Sequence, residues 1–344
     1  MIGVEQFSVR LRTPLETARG RLSERSGFLI SIEHEGVAGV GEATPLSGWT
    51  ESFEECREAL EAAQQVATEL DWGVALAKLD APAARHGLAL ALAEARARAA
   101  GDPLYQSLGS DEQVSSVPVN ATIGTRADDP AAVAELAADA VENGHHCLKL
   151  KVGTLDVEED VERVRAVRNA VGDDIALRVD ANGAWRPDQA EEALAALAAL
   201  DVEYVEQPLP TAELSAHARL RDSPVDVALD ESLAAHDVSH IIDVGAADAV
   251  VLKPMVLGGP DRVVQAAREC RAAGIEPVIS TTFDAVVART GAVHAAATLP
   301  EVAPCGLATG DRLATDLAPD PAPVSDGWIT VPQEPGLGFS NRPA

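Results

Sequence analysis

The chain has 344 residues, with 27 basic against 55 acidic side chains, and its formal net charge of −28 disfavours a polyanionic partner such as nucleic acid. A hydrophobic share of 47% supplies a real core and excludes disorder as the main state, and at about 150 residues per domain the length fits two domains or one large barrel with an addition. No run reaches the ~18 apolar residues of a membrane span, and the opening MIGVEQFSVRLRTP lacks a signal-like apolar core, so a soluble, cytoplasmic protein is expected.

The first 115 residues read as an α+β domain. FSVRLR, GFLISIEHEG and VAGVGEA alternate as antiparallel strands, and SFEECREALEAAQQVATEL and LALALAEARARAAG carry helical periodicity. GSDEQVSS (109–116) is polar enough to be a linker. From Val117 the pattern changes to short apolar strands separated by alanine-rich amphipathic stretches. The strands are VPVNATI (117–123), CLKLKV (147–152), IALRVD (175–180), EYVE (203–206), DVALDE (226–231), DAVVLKP (248–254), PVISTT (277–282) and CGLAT (305–309). Eight strands in βα repetition predict a closed parallel barrel over residues 116–310, its last helix missing or modified where the chain turns proline-rich after Asp311. Residues 311–344 form a tail, in which DGWITVPQEPGLGF is placed to return a strand to the first domain.

Cys56, Cys147, Cys270 and Cys305 lie far apart with no C-x-x-C pair, and they read as reduced and mostly buried. The glycines of GVGEA and VLGGPD read as turns, because neither motif leads into a phosphate-binding lysine. His145 and His146 precede the second barrel strand and read as loop, and His236 reads as helix surface.

Chemistry gathers at the C-terminal ends of five consecutive barrel strands: Lys149 and Lys151, Asp180, Glu206, Asp230 and Lys253. From Lys151 the steps are 29, 26, 24 and 23 residues. Each step is one βα unit, so these side chains converge on the barrel mouth, where such folds place their active sites. Alternation in CLKLKV turns Leu148, Leu150 and Val152 toward the helices and Lys149 and Lys151 into the barrel. A lone D-x-N or E-Q-P is more often a structural hydrogen-bonding group. Inward lysines are costly to bury, however, and three of the four lysines in the chain end at this one point, the remaining 23 basic residues being arginine.

Three converging carboxylates repel one another unless a cation compensates them. An all-oxygen set of Asp180, Glu206 and Asp230 suits a hard divalent ion, Mg²⁺, with Mn²⁺ able to substitute. Lysines beside such an ion feel its charge and partial desolvation, which lower a lysine's pKa and make it a base. The combination calls for removal of a proton α to a carboxylate.

That pairing of a lysine base with magnesium is the one known from enolase-superfamily sites. GVGEATPLSGWTES (39–52), LKLKVG (148–153), LRVDANGAW (177–185), VEQPLP (205–210), ALDES (228–232), VLKPMVLGG (251–259), STTFDA (280–285) and GLATG (306–310) together resemble the enolase superfamily. Within it the resemblance is to the muconate-lactonizing-enzyme-like subgroup, and most closely to the o-succinylbenzoate synthases of menaquinone biosynthesis. It implies a (β/α)7β barrel of the TIM type under an N-terminal α+β capping domain, with the TPLETARGRLSE and PLSGWTES loops closing on a small-molecule carboxylate.

The activity it implies is Mg²⁺-dependent dehydration of 2-succinyl-6-hydroxy-2,4-cyclohexadiene-1-carboxylate. Asp180, Glu206 and Asp230 would bind the metal. Lys151 would take the α-proton and then assist loss of the hydroxyl as water, Lys253 would stabilise the enediolate, and Lys149 would help hold the carboxylate and tune Lys151. Asn182 and Glu231 stand as supporting or substrate-side groups, and Ser280, Thr281, Gly306 and Leu307 as the wall for the succinyl arm. The alternative within the subgroup is an N-succinylamino acid racemase or dipeptide epimerase. The racemases typically carry arginine where this chain has Val256, and the dipeptide epimerases an Asp-x-Asp where it has GLATG. Asp284 departs from the glutamate often found at its place. A catalytically silent barrel would show a broken constellation, and this one is intact. The resemblance leaves the oligomeric state open.

A surface this acidic and this poor in lysine suits a salt-rich cytoplasm, where screening at ~1 M salt reaches within about 3 Å. The resistance to unfolding is expected to rise with KCl concentration. Chemical or thermal denaturation across a KCl series reads this directly, and full stability at low salt would contradict it.

Overall fold

The computed structural model describes residues 3–17, 20–124, 129–341 and 343. Strands β1 (Gly3–Thr17), β2 (Gly20–His34) and β3 (Val37–Ala43) form an antiparallel sheet in sequence order. Between β2 and β3 the two-residue turn Glu35-Gly36 takes positive φ at both positions (53° and 81°), the hairpin geometry whose twist matches that of the strands.

Helices α1 (Phe53–Glu69), α2 (Trp72–Ala77) and α3 (Pro82–Ala100) cover one face of that sheet. Ser52 starts α1 through a reciprocal capping box with Glu55. Gly39 and Gly41, expected as turns, instead lie within β3. A Cβ on Gly41 would stand 2.0 Å from Gly87 O, and one on Gly39 2.1 Å from Ala91 O, so glycine is what lets α3 lie against the strand. Gly258 and Gly259 of VLGGPD do form a turn, at φ 89° and 147°.

After α4 (Leu104–Ser107) the first predicted barrel strand divides into β4 (Ser116–Pro118) and β5 (Ala121–Ile123). Then follow α5 (Pro130–Glu142), β6 (Cys147–Lys151), α6 (Val157–Val171), β7 (Ala176–Asp180), α7 (Pro187–Leu197), β8 (Val202–Glu206), α8 (Leu214–Leu220), β9 (Asp226–Leu229), α9 (Val238–Val244) and β10 (Ala249–Leu252). The series closes with α10 (Pro254–Leu257), α11 (Pro260–Ala272), β11 (Glu276–Ile279) and α12 (Val286–Ala296). Strands β5 to β11 make one parallel sheet in sequence order.

The eighth predicted strand forms no strand of its own. Its first residues close the curl by two parallel bridges, Val119 with Cys305 and Ser280 with Gly306. Gly306 fits because a Cβ there would fall 2.5 Å from Ser280 Oγ.

Alternation along the strands divides the core. Leu148, Leu150, Leu177, Val179 and Val205 point outward and are wholly buried with Val133, Val164 and Leu194 of the helices. Inside the barrel Tyr204, Ala228, Ala249 and Val278 form one cluster below the mouth. All four cysteines are free and buried. Among the described residues no helix is long and apolar enough to cross a membrane.

The tail carries β12 (Val324–Ser325) and β13 (Trp328–Thr330), and β13 pairs with β4 instead of joining the β1–β3 sheet. Ile329 lies opposite Val117 and both are buried, so this register covers the chain where it enters the barrel. Farther on, Gly336 bridges Pro103, and Glu94 of α3 accepts the Leu337 N–H at 2.5 Å.

Burial pushes the Glu94 carboxyl up to about 7 from its usual 4.5, against the opposing pull of that N–H and of Arg98. Between those two pH values the folded chain binds a proton that the unfolded chain has released, so stability falls as pH rises through the window. Glu94→Gln is expected to flatten that slope, measured as unfolding midpoints from pH 4.5 to 7. An unchanged slope would place the titration elsewhere.

Candidate functional site

Strand register assembles the site. Lys151 is paired with Asp180 across β6 and β7, and Asp180 with Glu206 across β7 and β8, so the three side chains emerge side by side. Asp230 follows the end of β9, and Lys253 follows the end of β10 as the residue that caps α10. The six side chains predicted to meet at the mouth do so.

Lys149 Nζ donates to both oxygens of Glu206, at 2.9 and 2.8 Å, and stands 3.5 Å from Asp180 Oδ2. Lys151 Nζ donates to Asp180 Oδ2 at 2.5 Å and to Asn182 Oδ1 at 3.1 Å. On the far side Lys253 Nζ donates to Asp230 Oδ2 at 2.7 Å. Asn182 passes the network on, donating from Nδ2 to Glu231 Oε1 at 2.8 Å.

The electrostatics follow from burial. Asp180, Glu206 and Asp230 are almost wholly shielded from solvent. Desolvation, joined by the charge of Asp180, pushes Glu206 up to about 7, and desolvation only partly offset by Lys253 pushes Asp230 up to about 6. Burial acts the same way on Asp180, but Lys151 and Lys149 outweigh it and hold that carboxyl well below the usual range. Desolvation would lower Lys149, yet Glu206 and Asp180 raise it well above its ordinary value. The site is a set of like charges held together by ammonium groups.

Among the described residues no group of three or more His, Cys, Asp or Glu side chains is placed so as to hold a metal ion, and the lysines lie directly on the carboxylates. The donor chemistry nevertheless fits a hard divalent cation. The acceptors are all oxygen, they lie on three adjacent strands, and Asp230 Oδ1 and Glu231 Oε2 are buried without a hydrogen-bond partner.

The wall residues are committed differently. Ser280 Oγ donates to Gly306 O at 3.2 Å and Thr281 Oγ1 meets Thr309 Oγ1 at 3.1 Å, so both hydroxyls tie the last barrel segment to β11. Leu307 is wholly buried in the same shell cluster as Cys305 and Ile279, packed with the helices rather than standing on an open wall. Asp284 turns back to Thr282, whose Oγ1 donates to it at 2.5 Å. His145 precedes β6 outside any strand or helix, as expected; His236 is not on a helix but lies before α9, half-buried, with Nε2 3.1 Å from Thr211 O.

The first domain reaches this mouth. From PLSGWTES the Trp49 indole lies over Lys253, its ring centroid 3.6 Å from Nζ. The tip of TPLETARGRLSE at residues 18–19 lies outside the described residues, while Leu15 and Leu22 of its arms pack with Ala285 and Leu313.

Glu42 of β3 is a contact that the sequence reading missed. Its wholly buried carboxylate accepts from Ala285 N and Ala288 N at 2.8 Å each and from Thr44 Oγ1 at 2.5 Å, so it caps α12 from another domain. Burial, then the neighbouring Asp284, push its carboxyl up to about 7. No local signal marks that role beyond an acid set inside the otherwise apolar strand VAGVGEA.

The comparisons with known proteins place the chain by family and fold. Residues 132–344 match the family model described as "Enolase C-terminal domain-like", and residues 3–95 match "MenC, N-terminal domain". The chain belongs to the enolase superfamily. Its likeness is to the muconate-lactonizing-enzyme-like members, and the (β/α)-barrel under an antiparallel cap is the fold they share.

Over 99% of both chains it is 32% identical to "Hydrophobic dipeptide epimerase" of Enterococcus faecalis. It is 28% identical to "N-succinyl-L-Arg/Lys racemase" of Bacillus cereus, over 98% of this chain and 94% of that one. Identity rises to 41% with "o-succinylbenzoate synthase" of Thermobifida fusca, over 63% of this chain and 67% of the other. A solved dipeptide epimerase from E. faecalis, complexed with Mg and the dipeptide L-Leu-L-Tyr, superposes with a TM-score of 0.86 at 30% identity over 99% of each chain.

Glu42→Ala leaves two backbone N–H groups of α12 without their acceptor, each a loss of about 1–3 kcal/mol when buried. A loss of about 3 kcal/mol in urea unfolding is expected. A change below about 1 kcal/mol would mean that water replaces the carboxylate.

Proposed function

We propose that the protein is an o-succinylbenzoate synthase, dehydrating 2-succinyl-6-hydroxy-2,4-cyclohexadiene-1-carboxylate to o-succinylbenzoate. The observation that carries the reading is the pair of lysines set on opposite sides of one buried carboxylate cluster, Lys151 on Asp180 and Lys253 on Asp230. Two features support the dehydration within the superfamily. Identity to o-succinylbenzoate synthases reaches 41% and 39% over 63% and 62% of this chain, and the last barrel segment, Gly306-Leu307-Ala308-Thr309, offers no carboxylate to the ammonium group of a dipeptide.

In this reading Asp180, Glu206 and Asp230 would hold Mg²⁺, or Mn²⁺ in its place, and Lys149 would help hold the substrate carboxylate and tune Lys151. The bound ion supplies positive charge beside the carboxylate oxygens, where negative charge grows as the α-proton leaves. Lys151 Nζ, aimed by Asn182, takes that proton: the C–H bond breaks and its electron pair enters the enediolate. Lys253 faces the same centre from β10 and stabilises the charge by its own. The Lys151 ammonium then returns the proton to the departing hydroxyl, the C–O bond breaks, water leaves and the ring becomes aromatic. One lysine thus serves as base and acid on a single face.

A second reading is racemisation of N-succinylamino acids. It is favoured by the near-symmetric disposition of Lys151 and Lys253 and by the match to the racemase of B. cereus along almost the whole chain. Such substrates carry no α-ammonium group, so the neutral last segment does not count against them.

Formation of o-succinylbenzoate, followed by absorbance, separates the two. Wild type is expected to turn over with Mg²⁺ and to stop with chelator, while Lys151→Ala and Lys253→Ala each lose at least about 10³-fold, as loss of an acid–base group or charge stabiliser does. Wild type that forms no product but racemises N-succinylamino acids would establish the second reading instead.

A further inference from the structure

The aim of Lys151 depends on the backbone that carries it. Lys151 is the last residue of β6, and the chain leaves it through Val152 and Gly153 into α6. Beyond that point the ladder supplies one more bond, Val152 N to Asp180 O at 2.9 Å. Two charged side chains of α6 reach back to hold the main chain on either side of that bond. Arg163 Nη1 donates to Lys151 O at 3.0 Å, and Asp160 Oδ2 accepts the Gly153 N–H at 2.7 Å. The two are joined by Arg163 Nη1 to Asp160 Oδ1 at 3.0 Å, and their side chains are 1% and 2% exposed.

The mutual attraction of the ion pair adds little stability. A buried ion pair gains about as much from mutual attraction as it loses in hydration, so an apolar pair of similar volume would serve a core equally well. What the pair does that an apolar pair cannot is fix the main-chain groups of Lys151 and Gly153. The loop has little room to shift otherwise, since a Cβ on Gly153, at φ 91°, would stand 2.8 Å from Ala184 Cβ and 2.9 Å from Ala181 O. Lys149 needs no such clamp because it lies inside the ladder, paired with Arg178 on β7.

We infer that Asp160 and Arg163 are positioning residues for Lys151, clamping its main chain so that Nζ reaches the substrate-side position beside Asp180 and Asn182. The inference rests on the proposed role of Lys151 as the base. A flexible four-carbon side chain reaches one point reproducibly only if its root is fixed, and a misplacement of about 1 Å at a reacting group is worth about 10²-fold in rate.

The test compares wild type, Arg163→Met, Arg163→Lys and the double variant Asp160→Asn/Arg163→Met in the o-succinylbenzoate assay, with Mg²⁺ affinity measured by calorimetry and folding by thermal melt. Arg163→Met is expected to lose about 10²-fold in kcat while KM and the Mg²⁺ dissociation constant stay within about threefold, and Arg163→Lys, which keeps a cationic donor, to regain about tenfold. If Arg163→Met does not fold, the double variant, which leaves no unpaired buried charge, carries the same expectation. A folded variant with wild-type kcat overturns the inference, and so does one in which kcat, KM and Mg²⁺ affinity fail together. If wild type itself is inactive, the proposed function fails and the clamp is judged by crystallography of Arg163→Met: Lys151 Nζ displaced from Asp180 and Asn182 supports it, and an unmoved Nζ overturns it.

Discussion

Three buried carboxylates at one barrel mouth set the terms for the rest of the molecule. Asp180, Glu206 and Asp230 could not share this space as free anions, and the raised positions of Glu206 and Asp230 show burial and repulsion at work. Lys149, Lys151 and Lys253 answer that charge, each on its own carboxylate. Lysine and not arginine does this in a chain whose other basic residues, Lys78 excepted, are all arginine. The two differ where it matters: an ammonium group can give up its proton at accessible pH, a guanidinium cannot. The compensation that lets the fold tolerate its own acids is therefore built from groups able to do proton chemistry.

The barrel achieves this by keeping outside and inside separate. Outward residues of β6 to β8 are wholly buried aliphatics that anchor each strand to its helices, so their register is fixed without help from the charged face. Farther down the barrel, Arg178 is held by Glu203 and by Pro304 O, at 2.7 and 2.6 Å, and lies over the Tyr204 ring. It occupies the interior between the mouth and the strand starts, leaving the upper layer to the lysines and acids.

Much of this was legible in the sequence because it is periodic. The spacing of one βα unit from Lys151 to Asp180, Glu206, Asp230 and Lys253 carries barrel geometry in plain arithmetic, and alternation in CLKLKV gives the facing of both lysines. What could not be read was set by contacts distant along the chain. Gly39 and Gly41 look like turn glycines until α3 is laid across β3 at a distance only glycine allows. CGLAT has a strand's composition, but its ladder is limited to the bridges at Cys305 and Gly306. Leu307 reads as pocket wall by motif, yet the side of the segment on which it falls is the side that packs against the helices. Glu42 carries no local signal of its role, since the N–H groups it accepts lie more than 240 residues away.

Those distant contacts also bind the cap to the barrel. Interfaces between domains of one chain are as a rule polar and permissive of rigid-body motion. Here the contact is both apolar and polar: Leu29, Val40 and Leu90 of the cap cluster with Val286 and Val287, Glu42 caps α12, the Thr44 N–H meets Met255 Sδ at 3.4 Å, and Arg85 of α3 donates to Gly258 O in the turn after α10 and to Asp261 in the first turn of α11. To hinge the cap away from the barrel would strand each of those groups without a partner. β3 and α3 are thereby held to the barrel, and the Trp49 loop reaches Lys253 from the same cap. The turns that follow β10 and β11 are bonded to the cap, so the placement of Lys253 is a property of both domains together.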